Sequence, residues 1–418
     1  MVDKILEHFI RLTKIPHCSE NSGELFQFLQ NFGRERGYRV STDSAENILI
    51  KSKNPKIALQ AHYDMVCIGD APDIEIIRDG KWLRAKNSSL GADNGMAIAM
   101  MMLLIDMGVE CEFLFTSNEE IGLIGASNLE LNLESSRLLN LDFEDEGRVC
   151  VGCAGGADIR ASKRLIGAEP LKYIYRVEIS GLEGGHSGID IDKGIPNAIK
   201  LLAEFLKGRD IVLAEFIGGE RINSIPTQAS AIVSSNSQIE GSGNISVEPI
   251  DTSRPFYSGV EVINLIDELK SGVLLFNSSL NVVDRSINLA LINMENGRLN
   301  IELSGRAMSD MGIDEVAREA IEILNSYGFE TELEDKYPSW EPNIGDFAKR
   351  VYGEMKNLFG DSEFVAIHAG LECGVLSKKY PDMEIASIGP TIKSPHSKSE
   401  RVDIESVEKS FNLILRLI

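Results

Sequence analysis

The sequence predicts an α/β fold: a first domain with a mixed sheet flanked by helices, interrupted by an inserted α+β domain. Three observations predict it. Residues 1–155 alternate short β-like apolar runs with helical patterns. Residues 156–334 change texture, to alternating strands with interleaved helices. After Tyr337-Pro-Ser-Trp-Glu-Pro342 the first pattern returns and fills 335–418, so the first domain is built from both ends of the chain. A length of 418 residues also favours two domains over one core.

Each element follows from its residues. The first ten residues form an amphipathic helix with Ile5, Leu6, Phe9 and Ile10 on one side. Residues 57–61 read as a buried strand, and 95–107 as a helix apolar all round, hence buried. Strands follow at 112–117 and 137–141. Such alternation places helices on the faces of a sheet. In the insert, a strand at 172–181, a helix at 196–206 and strands at 211–217 and 229–234 come first. A similar order then recurs: strand 244–250, helix 260–270, strands 273–276, 287–294 and 299–304, helix 315–326. A duplicated β-α-β-β unit is therefore expected, without sequence self-similarity behind it. A helix at 346–359, a strand at 385–388 and a helix at 404–417 complete the first domain.

Composition narrows the function classes. Hydrophobic residues are 43% and charged residues 25%, as in ordinary globular proteins. A formal net charge of -22 leaves no electrostatic footprint for nucleic acid or an anionic membrane. Part of that acidity is available to hold cations. The six cysteines, Cys18, Cys67, Cys111, Cys150, Cys153 and Cys373, are too few for a disulfide scaffold in a chain this long. Most fall in apolar runs, where a free thiol packs as a small hydrophobe. Cys150-Val-Gly-Cys153 has redox-motif spacing, but its strand-like flanks and the lack of a second such pair favour a packing role. The start has no signal-peptide core, and the greasy stretch 96–104 is too short to span a bilayer. The cytoplasm is the expected compartment, with no membrane or nucleic-acid partner.

Chemistry concentrates at predicted strand ends, where open α/β sheets gather ligands. His62 and Asp64 follow the strand ending at Ala61. Glu119 and Glu120 follow the strand ending at Ser117, Asp142 follows Leu141, and His396 lies in the loop after Ile388. Asp93 opens a helix, where the backbone dipole favours a carboxylate. A metal-bound imidazole needs its second nitrogen held, a task within reach of Asp64. Two neighbouring cations need a shared anion, for which Asp93 is placed. His62 and Asp142 would serve one ion, Glu120 and His396 the other. A base that is not itself a ligand is also required, and the Glu119-Glu120 pair offers one of each. Taken singly, each block is weak: His-x-Asp recurs structurally, and Asp142-Phe-Glu-Asp-Glu146 could be a solvated acidic face. Their ordered recurrence at strand ends carries the reading.

The blocks Leu59-Gln-Ala-His62-Tyr-Asp64, Gly91-Ala-Asp93-Asn-Gly95, Asn118-Glu119-Glu120-Ile-Gly122, Asn140-Leu-Asp142, Val151-Gly-Cys-Ala-Gly-Gly156 and Gly184-Gly-His186-Ser-Gly188 resemble those of the Xaa-His (aminoacyl-histidine) dipeptidases. These belong to the dinuclear zinc metallopeptidase family that includes aminoacylases and carboxypeptidase G-type enzymes. Ile367-His-Ala-Gly-Leu-Glu-Cys-Gly374 resembles a block specific to that subgroup. The resemblance runs from the first helix to the last loop, although Ala61 stands where the family block has Gly.

The resemblance implies a zinc-peptidase-like catalytic domain with an inserted α+β lid domain. It implies two divalent ions, Zn2+ with Co2+ or Mn2+ as alternatives, held by His62, Asp93, Glu120, Asp142 and His396. It makes Glu119 the general base and His186 the donor to the oxyanion. Arg306 and Asn223 would contact substrate, with His368, Gly370 and Glu372 lining its pocket. The expected activity is hydrolysis of short peptides with a free amino terminus, plausibly Xaa-His dipeptides, by Glu119-assisted attack of a metal-bridging water. The alternatives are an N-acyl-amino-acid deacylase and a non-catalytic metal- or peptide-binding protein. Assembly is expected as monomer or homodimer, with His186 acting in its own chain if the lid is duplicated.

Overall fold

The first helix, Val2–Leu12, turns Ile5, Leu6, Phe9 and Leu12 inward but leaves Ile10 exposed, in a computed structural model that describes all 418 residues. The chain divides into two compact units. One comprises Met1–Cys153, Trp340–Ala366 and Leu371–Ile418; the other comprises Ala154–Ser339 and Ile367–Gly370.

The first unit carries an eight-stranded mixed sheet. Its order is Arg39–Thr42, Ile48–Lys51, Glu112–Thr116, Ala58–His62, Arg137–Asn140, Glu384–Ser387, Arg148–Cys153, Glu363–Ile367. Glu112–Thr116, Ala58–His62, Arg137–Asn140 and Glu384–Ser387 run parallel. They are almost wholly buried, as strands covered on both faces must be. Parallel neighbours end at the same edge, so the loops after His62, Thr116 and Asn140 emerge together. Helix Ala92–Asp106 buries every residue from Asn94 to Ile105. Asp93 and Asn94 are non-helical, so its regular turns start near Gly95, where the apolar run predicts them.

Two features of this unit depart from expectation. A four-stranded sheet, ordered Ile392–Lys393, Arg401–Asp403, Trp82–Ala85, Ile76–Asp79, has strands too short to announce themselves by periodicity. Its first connection carries His396, which therefore follows Ile392–Lys393 rather than the main-sheet strand directly. The reading of the cysteines needs correction at two positions: Cys18 and Cys67 form a disulfide, with Cα atoms 5.5 Å apart. Folding lays Cys18 beside Met65, a juxtaposition that spacing in sequence does not reveal. Cys111, Cys150, Cys153 and Cys373 are free and buried.

The second unit is built on an eleven-stranded antiparallel sheet. Its main path is Ile245–Pro249, Tyr173–Ile179, Ala229–Ser235, Ile211–Gly218, Val282–Glu295, Arg298–Ala307, Gly155–Arg164, Glu330–Tyr337. Helices Ala198–Leu206, Val260–Glu268 and Asp310–Ser326 contribute Leu202, Ile263 and Leu324 to a core shared with Val177, Leu289 and Leu303. Asn197 and Ser309 cap two of these helices with their side-chain oxygens. No helix in the chain is long and apolar enough to cross a membrane.

Candidate metal centre and substrate-binding residues

The parallel strands deliver their acids and imidazoles to one place. Ligand atoms lie within 4.8 Å of one another in three groups: His62-Asp93-Asp142, His62-Glu119-Glu120 and Asp93-Glu120-His396. Asp93 stands between the two rings. Its Oδ1 is 3.2 Å from His62 Nε2 and its Oδ2 is 3.0 Å from His396 Nε2. Asp142 Oδ1 is 3.2 Å from His62 Nε2, and Glu120 Oε2 is 2.9 Å from His396 Nε2. One carboxylate is thus shared and each imidazole has one carboxylate of its own.

This donor set fits two divalent cations. Imidazole nitrogens and carboxylate oxygens without thiolate suit zinc, cobalt or manganese. The charge balance points the same way, because the only cationic groups paired with these carboxylates are the two imidazoles. Burial pushes Glu119 well above the usual carboxylate range, helped by Glu120 and Asp142 against the pull of His62. Burial and the Asp93 charge take Glu120 up to about 7. Burial disfavours charge on His62, but Asp142, Asp64 and Asp93 hold its pKa well above the usual histidine value. The same contest at His396, against hydrogen bonds to Asp93 and Glu120, ends at about 11.

The hold on His62 differs from expectation. Its Nδ1 donates to the main-chain oxygen of Asp64 at 3.0 Å, whereas the Asp64 carboxylate stands 3.6 Å away. That bond leaves Nε2 free to face Asp93 and Asp142. The carboxylate is engaged elsewhere: Oδ1 accepts the Glu119 N–H at 2.9 Å, and Oδ2 accepts the Ser19 hydroxyl at 2.7 Å. Burial would raise the Asp64 pKa, but His62 and Ser19 hold it below its ordinary value. Asn118 and His396, at or beside the ligands, have left-handed backbone with φ of 49° and 54°, strain of the kind that collects at functional sites.

The second unit gathers another set. Gly185–His186 pairs with Ser224–Ile225, so His186 lies opposite Ser224 in a short ribbon rather than on a free loop. The Ser187 N–H donates to the Asn223 oxygen at 2.9 Å, which brings Asn223 beside His186. Gly188 has no room for a side chain, since a Cβ there would lie 2.5 Å from the His368 oxygen. His368 Nε2 meets Ser286 Oγ at 2.7 Å, and Ser286 pairs across the sheet with Arg306. Arg306 is 8% exposed; its Nη1 donates to the Tyr337 hydroxyl at 2.7 Å and its buried Nε has no partner. A buried guanidinium with a spare donor is suited to a carboxylate. Gly370 packs against the Tyr337 ring.

The chain matches no protein-family profile. An M20 family metallo-carboxypeptidase from Sulfolobus solfataricus superposes with a TM-score of 0.57 over 99% of this chain and 98% of that one, at 13% identity, a likeness of fold alone. Aminoacylhistidine dipeptidase from Vibrio alginolyticus superposes with a TM-score of 0.84 over 99% of this chain and 96% of that one, at 29% identity. The cytosol non-specific dipeptidase of Escherichia coli strain K12 is 33% identical across 98% of this chain and 96% of its own length. The chain belongs to the family of this cytosol non-specific dipeptidase. It is accordingly a peptidase.

Within this peptidase one expected pocket residue is elsewhere. Glu372 lies in the first unit and is 0% exposed. Its Oε2 accepts the Thr116 hydroxyl at 2.7 Å and the Gln60 amide at 2.5 Å. Gln60 in turn accepts from Asn140, whose side-chain oxygen receives the Asp142 N–H at 3.2 Å. Glu372 thus supports the ligand loops from beneath the sheet edge. Ser19, Asn94 and Glu144 escaped sequence reasoning. Asn94 Nδ2 donates to Asp142 at 2.6 Å. Glu144 has a buried, unpartnered Oε1, and burial with the Asp93 and Asp142 charges pushes its pKa to about 9. The acidic run from Asp142 was the available signal for Glu144; Ser19 had none.

Proposed function

We propose that this peptidase is a dinuclear-metal dipeptidase acting on short peptides with a free amino terminus, Xaa-His dipeptides among them, in the cytoplasm. The observation that carries the reading is Asp93, with one carboxylate oxygen turned to each imidazole. His62 and Asp142 would hold one divalent ion and Glu120 and His396 the other, with Asp93 placed to serve both; zinc is the ion proposed. Such ions, when bound, acidify water and polarise a carbonyl. Glu119 is the base: it takes the proton of the attacking water and returns it to the leaving amine nitrogen. Its burial raises its pKa above the ordinary carboxylate value, which makes it a stronger proton acceptor. His186 donates to the tetrahedral oxyanion. Arg306, through its unpartnered Nε, receives the substrate carboxylate, with Tyr337 fixing the guanidinium. The names of its relatives, an aminoacylhistidine dipeptidase and a non-specific dipeptidase, support the substrate class.

A panel of Xaa-His and other dipeptides, each beside its N-acetylated analogue, tests this with the zinc-loaded chain. Cleavage of the free dipeptides over the acetylated analogues is expected. A preference for the acetylated compounds would replace the reading with a deacylase.

A further inference from the structure

We propose that Glu400 positions the bridging carboxylate Asp93 and locks it to the loop of His396; this rests on the metal reading above. Glu400 is 2% exposed and no cation pairs with it. Its carboxylate instead accepts four consecutive backbone N–H groups. Oε2 takes Leu90 at 2.6 Å and Gly91 at 3.0 Å; Oε1 takes Ala92 at 2.8 Å and Asp93 at 3.2 Å. These N–H groups belong to the turn that leads into helix Ala92–Asp106, in which Asp93 and Asn94 are not themselves helical, so the carboxylate supplies them with acceptors. Gly91 has a φ of 70°, which bends the chain so that successive N–H groups converge. A Cβ on Gly91 would also lie 2.8 Å from Met65 Sδ.

The consequence falls on Asp93. Its backbone is gripped by Glu400 while its two side-chain oxygens face His62 and His396. Glu400 closes the same connection, between Ile392–Lys393 and Arg401–Asp403, that carries His396. One carboxylate therefore fixes the loop of the shared ligand to the loop of a terminal ligand, although 307 positions separate Asp93 from Glu400. A glutamine has the same shape but only one acceptor oxygen. Its amide nitrogen would face two N–H donors in a buried place, and the 90–93 turn would have to shift. Groups that orient ligands in this way change metal affinity or activity by about 10–100-fold when replaced.

The experiment uses the full chain, stripped of metal and titrated with Co2+, as wild type and as Glu400→Gln. Expected are two Co2+ bound by the wild type, 10–100-fold weaker binding by the variant, and an altered visible spectrum of the variant's bound Co2+. A role confined to helix stability would lower the melting temperature and leave that spectrum alone. Amide hydrogen exchange of the loaded wild type provides a measurement that does not depend on the variant folding: the 90–93 amides should be strongly protected. Wild-type affinity and spectrum in the variant, or free exchange at 90–93, would overturn the proposal. A wild-type chain that takes up no Co2+ would instead remove the metal reading, and this inference with it.

Discussion

The Asp64 carboxylate accepts the backbone N–H of Glu119 at 2.9 Å. This bond ties the loop after Ala58–His62 to the loop after Glu112–Thr116, so that an imidazole and the residue proposed as base keep a fixed separation. The same carboxylate receives Ser19, from the segment anchored by the Cys18–Cys67 disulfide. Asp64→Asn keeps the volume but replaces one acceptor with a donor facing an N–H or a hydroxyl. Activity should fall about 10–100-fold, with metal affinity reduced. Steady-state kinetics and metal content measured on one preparation check this, and a variant at wild-type levels in both would count against it.

Glu119 is proposed as a base and not as a ligand. Glu119→Ala should leave metal content near wild type while kcat falls about 10²–10⁴-fold. Retained turnover in that variant would remove the base assignment.

Removing metal should cost stability as well as activity. Stripping would leave Asp93, Glu119, Glu120 and Asp142 crowded around two imidazoles with no other cation. A ligand present at a thousand times its dissociation constant stabilises the folded state by about 4 kcal/mol. Exhaustive chelation should therefore abolish activity and lower the first calorimetric transition, and Zn2+ should restore both. A chelated chain that melts like the loaded one would contradict the buried site.

The second unit should weaken in acid because of His368. Burial, then the Arg306 charge, lowers its pKa from 6.5 to about 3. Between those values the unfolded chain binds a proton that the folded chain refuses, so stability is full above pH 6.5 and declines as the pH falls. The slope is about 1.4 kcal/mol per pH unit. Urea unfolding followed between pH 7 and 5 should show it, and His368→Asn should lose that part of the slope. Equal slopes in both proteins would mean that His368 does not titrate in this way.

Much of the proposed ligand set was legible because most of these residues sit within a few positions of an apolar run that declares itself a strand. His62, Glu120 and Asp142 are of this kind, and parallel pairing does the rest. His396 was harder: the strands that carry it, Ile392–Lys393 and Arg401–Asp403, are too short to show a period. Glu372 was misjudged for a related reason. Its block marks it as special, but only the sheet reveals that it faces Gln60 and Thr116 inside the first unit.

The sequence by itself determined which residue types stand at strand ends, the alternation that makes an α/β sheet, and the acidity that calls for cations. These are local properties, written in the spacing of neighbours. Only the tertiary structure decided that the main-chain oxygen of Asp64 orients His62, that Cys18 joins Cys67, and that Glu400 gathers the amides of Leu90 to Asp93. Those contacts depend on backbone direction and on packing between segments far apart in the chain, which no short window of residues encodes.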